Sequence, residues 1–168
     1  MDSSLFKKGL DSYPLTSVTL NNLLLLLWIT IGTVASYIFN PVAGIIYFLF
    51  FLITFILLKK LVCANCFYYG KWCSMGWGKL SALLFKKGKV EDFAGSPGMK
   101  IAPIVYGFLT LIPIILIIVS MIFKYEFRKI VVLFLFLLLS FYTNFFNRKK
   151  ACANCKMNML CPGSLVKR

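Results

Sequence analysis

The chain contains no histidine, only five acidic residues, and no charged side chain of either sign between Ser12 and Leu58. The first absence removes the side chain most used for general acid–base catalysis and as a nitrogen ligand to metals. The second leaves carboxylates only at Asp2, Asp11, Glu91, Asp92 and Glu126, none of them in a cysteine-bearing segment. A hydrolase or group-transfer enzyme is therefore the least favoured class. The third absence argues against a proton or ion pathway, because such pathways place ionisable residues within the bilayer.

What is present is hydrophobic. Apolar residues make up 60% of the 168 positions, and the mean hydropathy is +0.85, above the range of soluble domains. The uncharged stretch from Ser12 to Leu58 is more than twice the ~20 residues that one helix needs to cross a bilayer, so it holds two spans. Asn40-Pro41 is the natural break, since proline lacks an amide hydrogen, disfavours helix in the residue before it and suits a first turn. Helices are expected at about 20–39 and 41–58, then at about 101–123 and 130–147, where Lys124, Glu126, Arg128 and Lys129 divide the second apolar block. A cleaved signal peptide does not fit the first block, which is much longer than a signal core and has no small-x-small site after a short one. Pro113 is expected to kink the third span. The polar side chains of the spans, among them Ser36, Thr54, Thr110, Ser140, Thr143 and Asn144, are expected to bond between helices.

The chain carries a net charge of +14, and its Lys and Arg residues number two in 1–19, eight in 59–100, six in 148–168 and three in 124–129. Basic segments are retained on the cytoplasmic side, so both termini and the central loop are expected there, in a multi-pass protein of the cell membrane. The basic residues hug the span ends. They suit anionic lipid headgroups, and no nucleic-acid-binding signature accompanies them.

All six cysteines fall in two copies of one motif, Cys63, Cys66 and Cys73 in "LVCANCFYYGKWCSMG" and Cys152, Cys155 and Cys161 in "KACANCKMNMLCPGS". At an offset of 89 residues the Cys-Ala-Asn-Cys elements superimpose, Lys59-Lys60 meets Arg148-Lys149, and Asn40 meets Lys129. The expected fold is an all-α integral membrane protein of four transmembrane helices, built as two duplicated helical hairpins, each followed by a cytoplasmic three-cysteine loop. Residues 1–99 hold the first hairpin, the cysteine loop 61–76 and an amphipathic segment at about 77–93. That segment is either an interfacial helix in the headgroup layer or a short helix packed on the cytoplasmic domain. Residues 100–168 hold the second hairpin and the cysteine loop 150–163. Both copies keep the same topology, with a pseudo-two-fold axis along the membrane normal. The two triplets either face each other near it or form separate knobs.

Two cysteines three apart can direct both sulfurs to one point, and a short loop returns a third. Thiolates suit soft or borderline metals, and neither triplet alone has the four ligands of a closed zinc site. The six cysteines Cys63, Cys66, Cys73, Cys152, Cys155 and Cys161 are accordingly the candidate ligands of an iron–sulfur cluster or of zinc. They could complete one site across the copies, form two open sites or surround a larger cluster. Lys59, Lys60, Lys71, Lys149, Lys150 and Lys156 would offset the charge of such a centre, and would equally lower thiol pKa values. Asn65 and Asn154 are candidates to orient a sulfur, or simply turn residues. The function expected is electron transfer or assembly within a larger membrane complex or oligomer. The alternatives are a transporter or chaperone for a soft metal or sulfur species, and a thiol–disulfide oxidoreductase using the CxxC pairs.

Overall fold

Proline punctuates the chain. Pro14 precedes the first helix, α1 (Leu15–Phe39), while Pro41 and Pro97 occupy the first turns of α2 (Pro41–Leu61) and of a later helix, Pro97–Phe123. Between α1 and α2 the extended Asn40 reverses the chain, its side chain accepting the Val42 N–H at 2.8 Å. This is an N-cap satisfying one of the helix's orphan amides. Ser96 does the same at Pro97–Phe123, accepting from the Met99 N–H at 3.4 Å.

The computed structural model describes residues 9–166, so that Asp2, the Lys7-Lys8 pair, Lys167 and Arg168 lie outside the described residues. Beyond α2 a single 3-10 turn, Cys63–Asn65, opens the first cysteine loop, which leads into α3 (Trp77–Leu84). A further 3-10 turn at Val90–Asp92 precedes α4 (Pro97–Phe123); α5 (Phe127–Phe141) runs through a π-helical segment, Tyr142–Asn147, into α6 (Arg148–Ala153). Four helical stretches, Leu15–Phe39, Pro41–Asn65, Pro97–Phe123 and Phe127–Ala153, are long and apolar enough to cross a membrane.

These bounds correct the expected ones. α1 begins at Leu15 rather than 20 and α4 at Pro97 rather than 101, because prolines set the starts and not the edges of the uncharged runs. The last span continues past 147 to Ala153, since Arg148, Lys149 and Lys150 are good helix formers whose long side chains can reach out of the apolar layer. The segment expected as a helix over 77–93 is helical only over the eight residues of α3. Gly78 seats α3 directly on the first cysteine loop, where a Cβ would stand 1.9 Å from the Tyr68 carbonyl oxygen. Ser81 is buried and donates to the Lys59 carbonyl at 3.4 Å, whereas Leu83 and Leu84 face outward.

α1 packs against α2, α4 and α5, and α4 packs against α1, α2 and α5. Their shared core is Trp28, Ile29, Tyr47, Leu109 and Phe136. The Trp28 and Phe136 rings stack with centroids 5.8 Å apart, and the indole N–H donates to Ser140 Oγ at 2.7 Å. Most other span hydroxyls do not bridge helices as expected. Ser36, Thr110 and Thr143 donate to carbonyls one turn back in their own helices, the bond a lone hydroxyl finds most cheaply in an apolar helix. The outer faces stay apolar, Leu26 and Phe134 being 62% exposed, as suits helices solvated by lipid. At the α4–α5 turn, buried Lys129 donates to the Ser120 and Lys124 carbonyls at 2.9 Å each, satisfying the end of α4.

Candidate functional site

The two cysteine motifs fold into the same turn. The Cys66 N–H donates to the Cys63 carbonyl at 3.3 Å and the Tyr69 N–H to the Cys66 carbonyl at 3.0 Å; at the 89-residue offset, the Cys155 N–H donates to Cys152 and the Asn158 N–H to Cys155, both at 3.2 Å. The third cysteines match as well, Gly76 donating to the Cys73 carbonyl and Ser164 to that of Cys161. The second sulfur of each CxxC accepts a backbone N–H from two residues on, Tyr68 for Cys66 and Met157 for Cys155. A sulfur held this way is oriented by the main chain, and its anionic form is favoured. The copies differ in the carrier: Cys63 sits in a 3-10 turn after α2, whereas Cys152 lies within α6.

Asn65 and Asn154 orient no sulfur in this arrangement. Their amides donate one turn back, to the Leu61 carbonyl at 3.4 Å and the Lys150 carbonyl at 3.2 Å, tying each motif to the helix before it.

The triplets are not separate knobs. Cys66, Cys73, Cys155 and Cys161 all pack against one buried cluster of Tyr13, Val18, Tyr68, Phe93 and Met157. Tyr68 is the pivot: its hydroxyl donates to the Leu10 carbonyl at 2.6 Å and accepts the Lys156 N–H at 3.1 Å. The segment before α1 threads between the loops, with the Leu10 N–H donating to the Asn154 carbonyl at 2.9 Å, the Tyr13 N–H to Trp72 at 2.8 Å and the Tyr13 hydroxyl to Ala151 at 2.7 Å. Lys156 pairs with Asp11, whose carboxyl is held below its ordinary range by that hydrogen bond and charge. From below, Asn21 donates to the Ser74 carbonyl at 2.7 Å and Asn22 to that of Met75 at 3.1 Å, fixing the first loop on α1.

Burial dominates the thiol chemistry, contrary to the expectation that neighbouring lysines lower it. Cys66 is pushed up to about 12 by desolvation, the Tyr68 N–H pulling the other way and the charges of Cys73, Cys155 and Cys161 opposing ionisation further. Desolvation likewise raises Cys155 to about 11, against the Met157 N–H and reinforced by Cys161, Cys152 and Cys73. Two of those lysines are turned elsewhere: Lys71 lies over the Phe67 ring with its amine 4.4 Å from the centroid, and Lys156 over the same ring at 5.2 Å.

All six thiols are free and half-buried. Among the described residues, no three cysteine or carboxylate side chains converge as a ready-made ligand set. The loops thus bring Cys66, Cys73, Cys155 and Cys161 to one apolar cluster, with Cys66 and Cys155 held as protonated thiols. Sequence reasoning missed Tyr13, Tyr68, Asn21 and Asn22, the residues that join the loops; the recurrence of polar Asn21-Asn22 inside an otherwise apolar helix was the available signal. Comparison with protein-family models, with characterised proteins and with solved structures finds no match to this chain.

Proposed function

We propose that this protein is an integral membrane protein whose two cysteine triplets jointly hold one thiolate-bound metal or iron–sulfur centre, serving electron transfer or assembly in a larger membrane complex. The observation that carries the reading is the packing of Cys66, Cys73, Cys155 and Cys161 on a single cluster contributed by both loops. Six soft donors and no histidine suit a thiolate-bound centre. The matched N–H···S bonds at Cys66 and Cys155 add support, because hydrogen bonds to sulfur orient it and tune the potential of a bound cluster.

Metal binding releases the thiol protons, so raised thiols are compatible with a centre that forms by proton exchange. They are poor nucleophiles for dithiol exchange, which uses thiolates. The pairing of α1 with α2, α4 and α5 is mirrored by α4 with α5, α1 and α2, as two duplicated hairpins about a pseudo-two-fold axis would require. With twelve basic residues in 59–100 and 148–166, the segments that carry the thiols, and three in 124–129, the thiol-bearing side faces the cytoplasm.

The test is metal analysis and an absorbance spectrum on anaerobically purified protein, for the natural chain and for Cys63→Ser, Cys152→Ser and the double variant. A shared centre predicts that either single change abolishes bound metal, with broad visible absorbance for iron–sulfur or a colourless zinc protein. Independent, additive losses would indicate two sites. No metal in the natural chain, or undiminished metal in the double variant, refutes the reading.

A further inference from the structure

Lys59 is the most deeply buried cation of the described residues, 1% exposed. Lysine normally keeps its ammonium in water by extending its stem. Here the amine instead sits against aromatic faces, 3.3 Å from the centroid of the Phe55 ring and 5.6 Å from that of Trp77. Among the described residues it has no carboxylate partner: Asp11 is taken by Lys156, and Glu126 by Lys124 and Arg128. Ring faces offset part of the desolvation of an ammonium, but far less than a full opposite charge does. The acidic groups that feel Lys59 are Cys63, one helical turn further on, and Cys73, from the end of the same loop.

Resting on the thiolate reading above, we infer that Lys59 is the built-in counter-charge of the centre, buried beside the first triplet to balance the negative charge its sulfurs carry once they bind metal. The surroundings fit that role. α3 covers the site, Ser81 holds the Lys59 main chain through its carbonyl at 3.4 Å, and Trp77, the first residue of α3, closes over the ammonium. Lys60, next in sequence, is exposed, as is Arg148, the residue matching Lys59 in the second copy. The buried counter-charge therefore belongs to one triplet only, and exposed Lys60 serves as the control.

Co2+ is a suitable probe, because thiolate coordination gives it an intense charge-transfer band that reports affinity directly. The full chain in detergent is titrated anaerobically as the natural form, Lys59→Met, Lys59→Arg and Lys60→Met, with thermal stability of each metal-free form measured in parallel. Lys59→Met is expected to weaken Co2+ binding about tenfold or more, the range reached by outer-shell partners of metal ligands. It should do so without lowering metal-free stability, since a buried unpaired charge has been replaced by an apolar side chain of similar length. Lys59→Arg restores most of the affinity, and the Lys60→Met control matches the natural chain. Undiminished Co2+ affinity in Lys59→Met overturns the inference while leaving the thiolate centre standing. So does a loss of affinity that tracks lost metal-free stability and is not rescued by arginine. No thiolate band in the natural chain defeats the centre itself, and the counter-charge with it.

Discussion

The Tyr47 hydroxyl of α2 donates to the Leu109 carbonyl of α4 at 2.8 Å. That carbonyl would ordinarily accept the amide four residues on, but residue 113 is proline and has none to offer. Gly32 of α1 makes the approach possible, since a Cβ there would stand 2.6 Å from the hydroxyl. The proline is thus matched across helices by a donor from another element. Tyr47→Phe should cost about 1 kcal/mol, the scale of inter-helical hydrogen bonds in membranes, in reversible unfolding from mixed micelles. In a Pro113→Ala background the helix supplies its own amide, so the same substitution should cost less. An equal cost in both backgrounds would disconnect the tyrosine from the proline.

Gly78→Ala probes the seating of α3. A methyl group there meets the Tyr68 carbonyl oxygen at a separation no real contact allows, so α3 must lift from the first cysteine loop. The expected loss is roughly 1–3 kcal/mol. It should be accompanied by faster hydrogen exchange at the Gly70 amide, which donates to the Gly78 carbonyl at 3.0 Å. Unchanged protection of Gly70 would count against the packing.

The raised thiols give the metal-free protein a definite alkaline limit. Cys66 and Cys155 move from an ordinary 9.0 to about 12 and about 11, so in the intervening window the folded state binds more protons than the unfolded one. Their contribution to stability is complete below about pH 9 and is lost as pH rises through about 11 to 12. Unfolding measured across this range should show a steeper decline for the natural chain than for the Cys66→Ala, Cys155→Ala double variant. Alkylation of the same two thiols should be slow at neutral pH. Rapid labelling there would mean that burial does not control them.

Orientation is checked from outside intact cells with a membrane-impermeant maleimide. The native cysteines should stay unlabelled, whereas Tyr125→Cys, at an exposed position in the turn between α4 and α5, should react. The reverse pattern would place the thiols outside and contradict the basic-residue bias.

Much of the bundle was legible because bilayer thickness and charge leave a chain few choices. The break at Asn40-Pro41 fell where proline chemistry requires, and Pro14 and Pro97 carried the same message about α1 and α4, obscured by attention to where charges stop. The joining of the thiol loops was not legible. Tyr13 and Tyr68 meet edge to face with centroids 5.7 Å apart, although neither position has any local pattern that names its partner. The depth of Lys59 was hidden too, because a lysine at the end of an apolar helix ordinarily escapes to water.

The threading of Leu10–Tyr13 between the two loops has a consequence for the order of biosynthesis. A segment made before α1 is held at Ala151 and Asn154, at the end of the fourth apolar stretch and just past it. While α4 and α5 are still emerging, the first triplet has Tyr13, Val18 and Phe93 of its cluster but not Met157, Cys155 or Cys161 of the second loop. The cluster shared by the two loops closes only when the segment carrying Cys152 to Cys161 arrives. A chain interrupted before Lys150 leaves the first cysteine loop without Cys155, Met157 and Cys161, with which it shares its apolar cluster.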